Sequence, residues 1–152
     1  MKVMTKNFGE IEIEDSKVIH FQGGIIGFPE LTEFTLLHDE EKGKDAGIHW
    51  LQSLQEPAFA MPVMDPLLVV PDYNPSVEDE LLKPLGELTA ENLLVMVTVT
   101  VPSDLTKMSV NLQGPIVINA DNRKACQVIV EGEGYVVKYP IYEILKAKKA
   151  GE

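Results

Sequence analysis

The sequence predicts a mainly β fold: a small antiparallel β-barrel-like single domain with short helices. Several segments alternate apolar and polar residues with the period of a strand, most clearly Leu93 to Val101, LLVMVTVTV, and Glu10 to Glu14, EIEIE. Turn residues interrupt these segments often, with 10 prolines and 11 glycines in the chain. Many short strands with few helical patterns fit a small barrel or sandwich. A length of 152 residues is that of one domain with room for a sizeable core. The domain is expected to span 1–152, with 140–152 as a short C-terminal helix and tail.

Gly9 is a turn or bulge signal before Glu10–Glu14, where Ile11 and Ile13 face inward and the glutamates face water. Asp15-Ser16-Lys17 is a short polar connection, and Val18 to Phe21 reads as the strand returning from it. In the stretch QGGIIGFPEL, Gly23, Gly24 and Gly27 loosen the backbone, and Ile25, Ile26 and Phe28 act as apolar plugs. Pro29 can open a single helical turn. A phosphate loop would need a Lys-Ser/Thr ending or the dinucleotide spacing, and this stretch has neither. Phe34 to His38 is a strand, His38 to Asp45 a charged hairpin tip, and Ile48 to Leu54 a strand carrying the only tryptophan, Trp50, as a core or rim aromatic.

Ala58 to Tyr73 is divided by Pro62, Pro66 and Pro71, which confine it to short strands, edges and turns. Asp65 and Asp72 each sit beside a proline. Turn capping explains them better than an acid–base pair, because no neighbour in the sequence tunes either carboxyl. Ser76-Val77-Glu78-Asp79 has the form of a capping box with Ser76 as N-cap, opening a short helix through Leu82 that Pro84 and Gly86 end. Thr89 caps another turn.

In Leu93 to Val101 the valines Val95, Val97, Val99 and Val101 share a face, and Val95, Val97, Val99 and Leu112 are the expected core. Pro102 stops the strand, and Ser103, Asp104 and Thr106 supply a loop. Val110 and Leu112 resume the alternation, Gly114-Pro115 breaks it, and Ile116 to Ile118 is a short apolar run. Ala120 to Arg123 is a turn, Ala125 to Val130 a strand, Glu131 to Gly134 a turn and Tyr135 to Lys138 a last strand. Pro140 to Lys149 is helical in pattern, with Ile141, Ile144 and Leu145 on one side and Lys146, Lys148 and Lys149 towards its C-terminus.

The lone cysteine, Cys126, rules out an internal disulfide and sits in an apolar run as an inert thiol. A reducing cytoplasm is the simplest setting, with no signal-peptide h-region and no apolar run of membrane-spanning length. His20, His38 and His49 are dispersed and imply no nucleophile partner or metal site, so no catalytic residue, metal or cofactor is expected. The net charge is -11 and unevenly placed: residues 1–91 hold 18 of the 24 acids and 6 of the 13 bases. Such a surface repels phosphate backbones, which argues against direct nucleic-acid binding, and attracts basic proteins. Glu78, Asp79 and Glu80 fall in the first turn of the expected helix, and with Asp72 they form the candidate partner-binding residues.

Five stretches carry a resemblance to a known family: TKNFGEIEIE, IHFQGGIIGFPELTEFTLL, WLQSL, PVMDPLLVVPDY, and KMSVNLQGPIVINADNRKACQVIV followed by YPI. Their order over nearly the whole chain is similar to that of the flagellar assembly factor FliW family. The least family-like parts are Asp39 to Gly47 and the lysine-rich tail. The resemblance implies a small β-barrel-like protein that is not an enzyme. It implies two protein partners: the RNA-binding carbon storage regulator CsrA, which family members antagonise, and newly made flagellin. Exchange between the two would make flagellin translation follow the free flagellin level. A free monomer is expected. Two other classes stay open. One is a small flavin- or nucleotide-binding barrel enzyme with its ligand near Gly23 to Gly27 and Trp50, although basic residues placed for a phosphate are lacking. The other is a self-assembling structural subunit.

Overall fold

The computed structural model describes residues 2–6, 8–38, 48–75, 77–132 and 134–150. The strands are β1 (Lys2–Thr5), β2 (Gly9–Glu12), β3 (Ile19–Phe21), β4 (Glu33–His38), β5 (His49–Ser53), β6 (Ala60–Met64), β7 (Leu93–Thr100), β8 (Ser109–Val110), β9 (Ile116–Asn119), β10 (Lys124–Gln127) and β11 (Tyr139–Pro140). The helices are α1 (Asp79–Leu82) and α2 (Tyr142–Ala150), with single 3-10 turns at Asp15–Lys17, Pro66–Leu68, Lys83–Leu85 and Leu105–Lys107.

Among the described residues, seven strands close into a barrel in the order β7-β6-β5-β4-β3-β10-β9 and back to β7. Every ladder in it is antiparallel except β3 with β10, where Lys124 and Ala125 lie beside His20 and Phe21 in parallel. Closure leaves these strands without free edges. The expected mainly β, barrel-like fold is therefore observed, with one parallel pairing inside it.

The barrel interior is one apolar cluster built from Ile19, Phe21, Phe34, Leu51, Val63, Ile116, Ile118 and Ala125, with Met96 packed against it. Phe21 and Phe34 meet edge to face with ring centroids 5.2 Å apart. The outer side of the wall is also covered. Val97, Val99, Val110 and Leu112 pack with Val69, Tyr73 and Ile141, and Ile144 and Leu145 of α2 lean on the same cluster. Val117 packs outward with Leu85, Val128 and Val130, joined by Val77, Leu82 and Cys126. Side chains alternate faces along a strand. Ile116 and Ile118 therefore enter the barrel while Val117 enters the outer layer, and all three are buried. That accounts for the unbroken apolar run at this point.

Several expectations need correction. The returning strand for Gly9–Glu12 is Lys2–Thr5, not Val18 to Phe21, with Val3 opposite Ile11. Thr5 builds the turn: its Oγ1 accepts from the Phe8 amide at 2.9 Å and donates to the Gly9 carbonyl at 2.8 Å. Asp15–Lys17 is a 3-10 turn with extended residues on both sides, so the chain runs onward into the barrel instead of doubling back. The glutamates of EIEIE face water as expected, and Ile13 is buried with Ile11 half-buried. Of the three apolar plugs only Ile25 is buried, while Ile26 and Phe28 are 50% and 42% exposed. Ile25 and Phe28 close a tight bridge on each other, and Phe28 meets Phe59 at the barrel rim. A Cβ on Gly24, at φ +71, would stand 2.5 Å from the Pro29 backbone, so the glycine serves this close approach. Pro29 turns the chain without opening a helix.

β7 ends at Thr100, leaving Val101 outside the strand and 48% exposed, and Val95 is half-buried. The strand expected at Ala125 to Val130 is Lys124–Gln127; beyond it the Val128 and Val130 amides donate to the Pro115 and Gln113 carbonyls. The last strand is Tyr139–Pro140, paired with β8, and not Tyr135 to Lys138. Gly132 and Gly134, at φ +147 and +88, turn the chain just before residues 135–138, which form no strand. The C-terminal helix is found as α2 but starts at Tyr142 and not at Pro140, which belongs to β11; Ile141 is fully buried just before it. Ser76 and most of the expected hairpin tip, residues 39–47, lie outside the described residues.

The two-faced wall makes a stability prediction. Val97→Ala and Val117→Ala should each lower unfolding stability by about 1–3 kcal/mol in urea titrations, through lost apolar contact and a residual cavity. A neutral Val117→Ala would mean that the outer layer is not packed.

Candidate functional site

The two outer covers, bridged by Tyr135, leave part of the wall uncovered. Residues 65–73 lie over one part of the β7 face, residues 77–85 lie over β9 and β10, and a groove of about 510 Å³ opens between them. Leu67 and Tyr73 line one wall, Val77 and Leu82 the other, and Leu93, Val95 and Val117 the floor. Leu93 is 40% exposed and Leu67 50% exposed, although both sit on otherwise apolar surfaces.

Each wall is fixed by specific bonds. Asp65 caps the Pro66–Leu68 turn, its Oδ1 accepting from the Leu67 amide at 2.9 Å, as its position before proline implied. Tyr73 then ties the segment to the barrel: its hydroxyl donates to the Leu112 carbonyl at 2.6 Å, and its ring packs edge-on against Tyr135 at 5.3 Å. Burial, with the neighbouring Tyr135 as a lesser cause, pushes the Tyr73 phenol up to about 12.

The opposite wall hangs from asparagines in the β9–β10 turn. Asn119 Nδ2 donates to the Leu85 and Glu87 carbonyls at 2.8 and 3.2 Å, and Asn122 Nδ2 donates to Leu85 at 2.9 Å. Asn92 Nδ2 reaches the Glu87 carbonyl and Asp121 Oδ2. Arg123, at φ 60, closes the turn that presents these amides. Leu85 is buried beneath them, so α1 is held at its C-terminal side. Thr89 caps its turn as expected, its Oγ1 accepting from Glu91 and Asn92 amides.

The acids expected as partner-binding residues are not in the lining of this groove, whose one acid is Asp65; they are sequence neighbours of residues that line it. Asp72 immediately precedes Tyr73 of one wall, and Glu78, Asp79 and Glu80 follow Val77 and open the helix that carries Leu82. All four are exposed, and none is in an ion pair among the described residues. Lys83 is the sole basic residue between positions 65 and 91 of the sequence. Helix α1 begins at Asp79, and Glu78 occupies the N-cap position with no side-chain cap bond; the expected cap residue, Ser76, lies outside the described residues. The asparagine clamp at Leu85 holds the segment from its other end.

The groove was not foreseen from the sequence. Leu67-Leu68 directly after Pro66, and the doubled Leu93-Leu94 at the start of an alternating strand, are the signals that were available. Cys126 is half-buried beside α1, its Sγ 3.8 Å from the Leu81 carbonyl; burial pushes its thiol up, away from a reactive thiolate. Among the described residues no group of His, Cys, Asp or Glu side chains is placed to hold a metal ion, and no helix is long and apolar enough to cross a membrane.

Comparison with known proteins bears on this arrangement. Residues 2–141 match the family model described as FliW protein, ending at the buried Ile141 that precedes α2. The chain belongs to the FliW family. It is 50% identical over 143 residues to the flagellar assembly factor FliW of Lachnoclostridium phytofermentans, covering 94% of this chain and 92% of the relative. It is 48% identical over 150 residues to that of Lachnospira eligens, covering 98% and 99%. A crystal structure of the flagellar assembly factor FliW superposes with a TM-score of 0.84 at 32% identity, covering 93% of this chain and 96% of the other. The barrel described above is therefore the FliW fold, and the family is one of flagellar assembly factors.

Tyr73 gives a prediction for the groove wall. Tyr73→Phe strands the buried Leu112 carbonyl and should cost about 1–2 kcal/mol of stability. A phenol raised on folding contributes stability that is fully present below its unfolded value near 10 and is lost as pH rises towards about 12. Denaturation midpoints measured across that alkaline window should fall more steeply for the wild type than for Tyr73→Phe; identical slopes would contradict the assignment.

Proposed function

We propose that this FliW-family chain acts in flagellar assembly by partner switching: it binds and antagonises the carbon storage regulator CsrA, and it binds flagellin. In this reading the protein is one cytoplasmic domain, a monomer when free and not an enzyme. Flagellin synthesis is coupled to assembly through exchange of the two partners. The observation that carries the reading is the set of exposed carboxylates of Asp72, Glu78, Asp79 and Glu80, in no ion pair among the described residues and adjacent in sequence to residues that line an apolar groove. An RNA-binding regulator neutralises phosphates with lysine and arginine, and this rim offers such a surface the complementary sign. Antagonism follows if the acids occupy or shield the cations that the RNA requires. The family's flagellar role supplies the setting. The flavin- or nucleotide-binding alternative gains little from the Gly23 to Gly27 stretch, where Gly24 serves the close approach to the Pro29 backbone and Ile25 and Phe28 close a tight bridge.

The test is a triple reversal, Glu78→Lys, Asp79→Lys and Glu80→Lys, on protein shown to remain folded. Complementary charge acts mainly on encounter, so the association rate for purified CsrA in low salt should drop by about tenfold or more, with a weaker salt dependence. An unchanged rate would place the docking surface elsewhere, for example on the Glu10 to Glu14 face.

A further inference from the structure

Resting on the functional reading above, we propose that the groove itself is a binding site for an apolar segment of the basic partner. Side chains of that segment complete the outer layer over β7, while flanking lysines or arginines meet the acidic rim. The outer layer is packed on both sides of the gap. Val97 and Val99 are buried under one cover and Val117 under the other. Leu93 and Val95 stand on the same strand face as Val97, yet Leu93 is 40% exposed and Val95 only half-buried. Exposed apolar surface of this kind, contiguous and rimmed by polar groups, marks an interaction site.

The groove's volume of about 510 Å³ has room for several apolar side chains, and its walls are held by bonds that need no rearrangement to form. A site built this way loses little to ordering when it is filled. Charge decides the occupant. A second copy of this chain carries a net charge of -11 and would set acids against acids. A segment bearing cations finds four exposed carboxylates with no competing ion pair among the described residues. The two parts of the site then divide the work. The rim raises the encounter rate, and the desolvated apolar contact slows dissociation.

The experiment measures association and dissociation rates of purified CsrA, and separately of purified flagellin, with the full chain. The groove is altered by Leu67→Ser combined with Leu93→Ser. Both positions are substantially exposed, so thermal unfolding should be nearly unchanged. A second variant, Val77→Phe, adds bulk to the wall without adding polarity. Each variant should raise the CsrA dissociation rate by about tenfold or more, leaving the association rate and its salt dependence close to wild type. If the wild type binds CsrA and both variants release it at the wild-type rate, the groove proposal is overturned while the functional reading stands. If the variants weaken flagellin alone, the assignment of the groove to the basic partner is overturned. If the wild type binds neither protein, the functional reading fails and this inference falls with it.

Discussion

The strands β7, β9 and β10 carry apolar side chains on both faces, and a closed barrel can bury only one of them. Ile116, Ile118 and Met96 fill the interior; Val97, Val99 and Val117 need a second layer outside. A fully exposed valine or leucine forfeits about 1.5–3 kcal/mol relative to a buried one, so leaving that face bare would consume much of a domain's net stability. The segments that are neither strand nor long helix meet this demand. Residues 65–73, 77–85 and α2 are spread over the outside of the wall, held by Asp65, Tyr73, the asparagines of the β9–β10 turn and Ile141.

The same demand creates the site. Two covers approach from opposite sides, each anchored by its own bonds, and the strip of β7 at Leu93 and Val95 stays open between them. Covering loops lie on the surface, so their polar residues face water, and here those residues are acidic. An apolar groove flanked in sequence by acids is thus a by-product of how this barrel wall is covered.

Much of the fold was legible in the sequence because it rests on local chemistry. The alternation in Leu93 to Thr100, the stop at Pro102, the Asp65 and Asp104 turn caps and the helix after Ile141 each follow from a few neighbouring residues. What could not be read locally was pairing. The partner of Gly9–Glu12 depends on a Thr5 side chain that closes a turn on the other flank, and β10 finds β3 in parallel across about a hundred residues of chain. At the site, the acids were visible as charge, whereas the groove arises from residues as far apart as Leu67, Val77, Leu93 and Val117, which only the closed barrel brings together. The side-chain amides of Asn119 and Asn122 reach across from another turn to hold the C-terminal end of the acid-bearing segment, a contact that no local pattern announces.

A partner seated on the groove between the two covers would shield both of its walls. Amide hydrogen exchange on the full chain, alone and with saturating CsrA, tests it most directly, because local opening is reported segment by segment. The account predicts partner-dependent slowing concentrated in residues 66–73 and 79–85, the two walls, with β4 and β5 unchanged. Slowing confined to the β1–β2 hairpin, or to the exposed Ile26 and Phe28 at the barrel rim, with both walls exchanging as in the free protein, would contradict it.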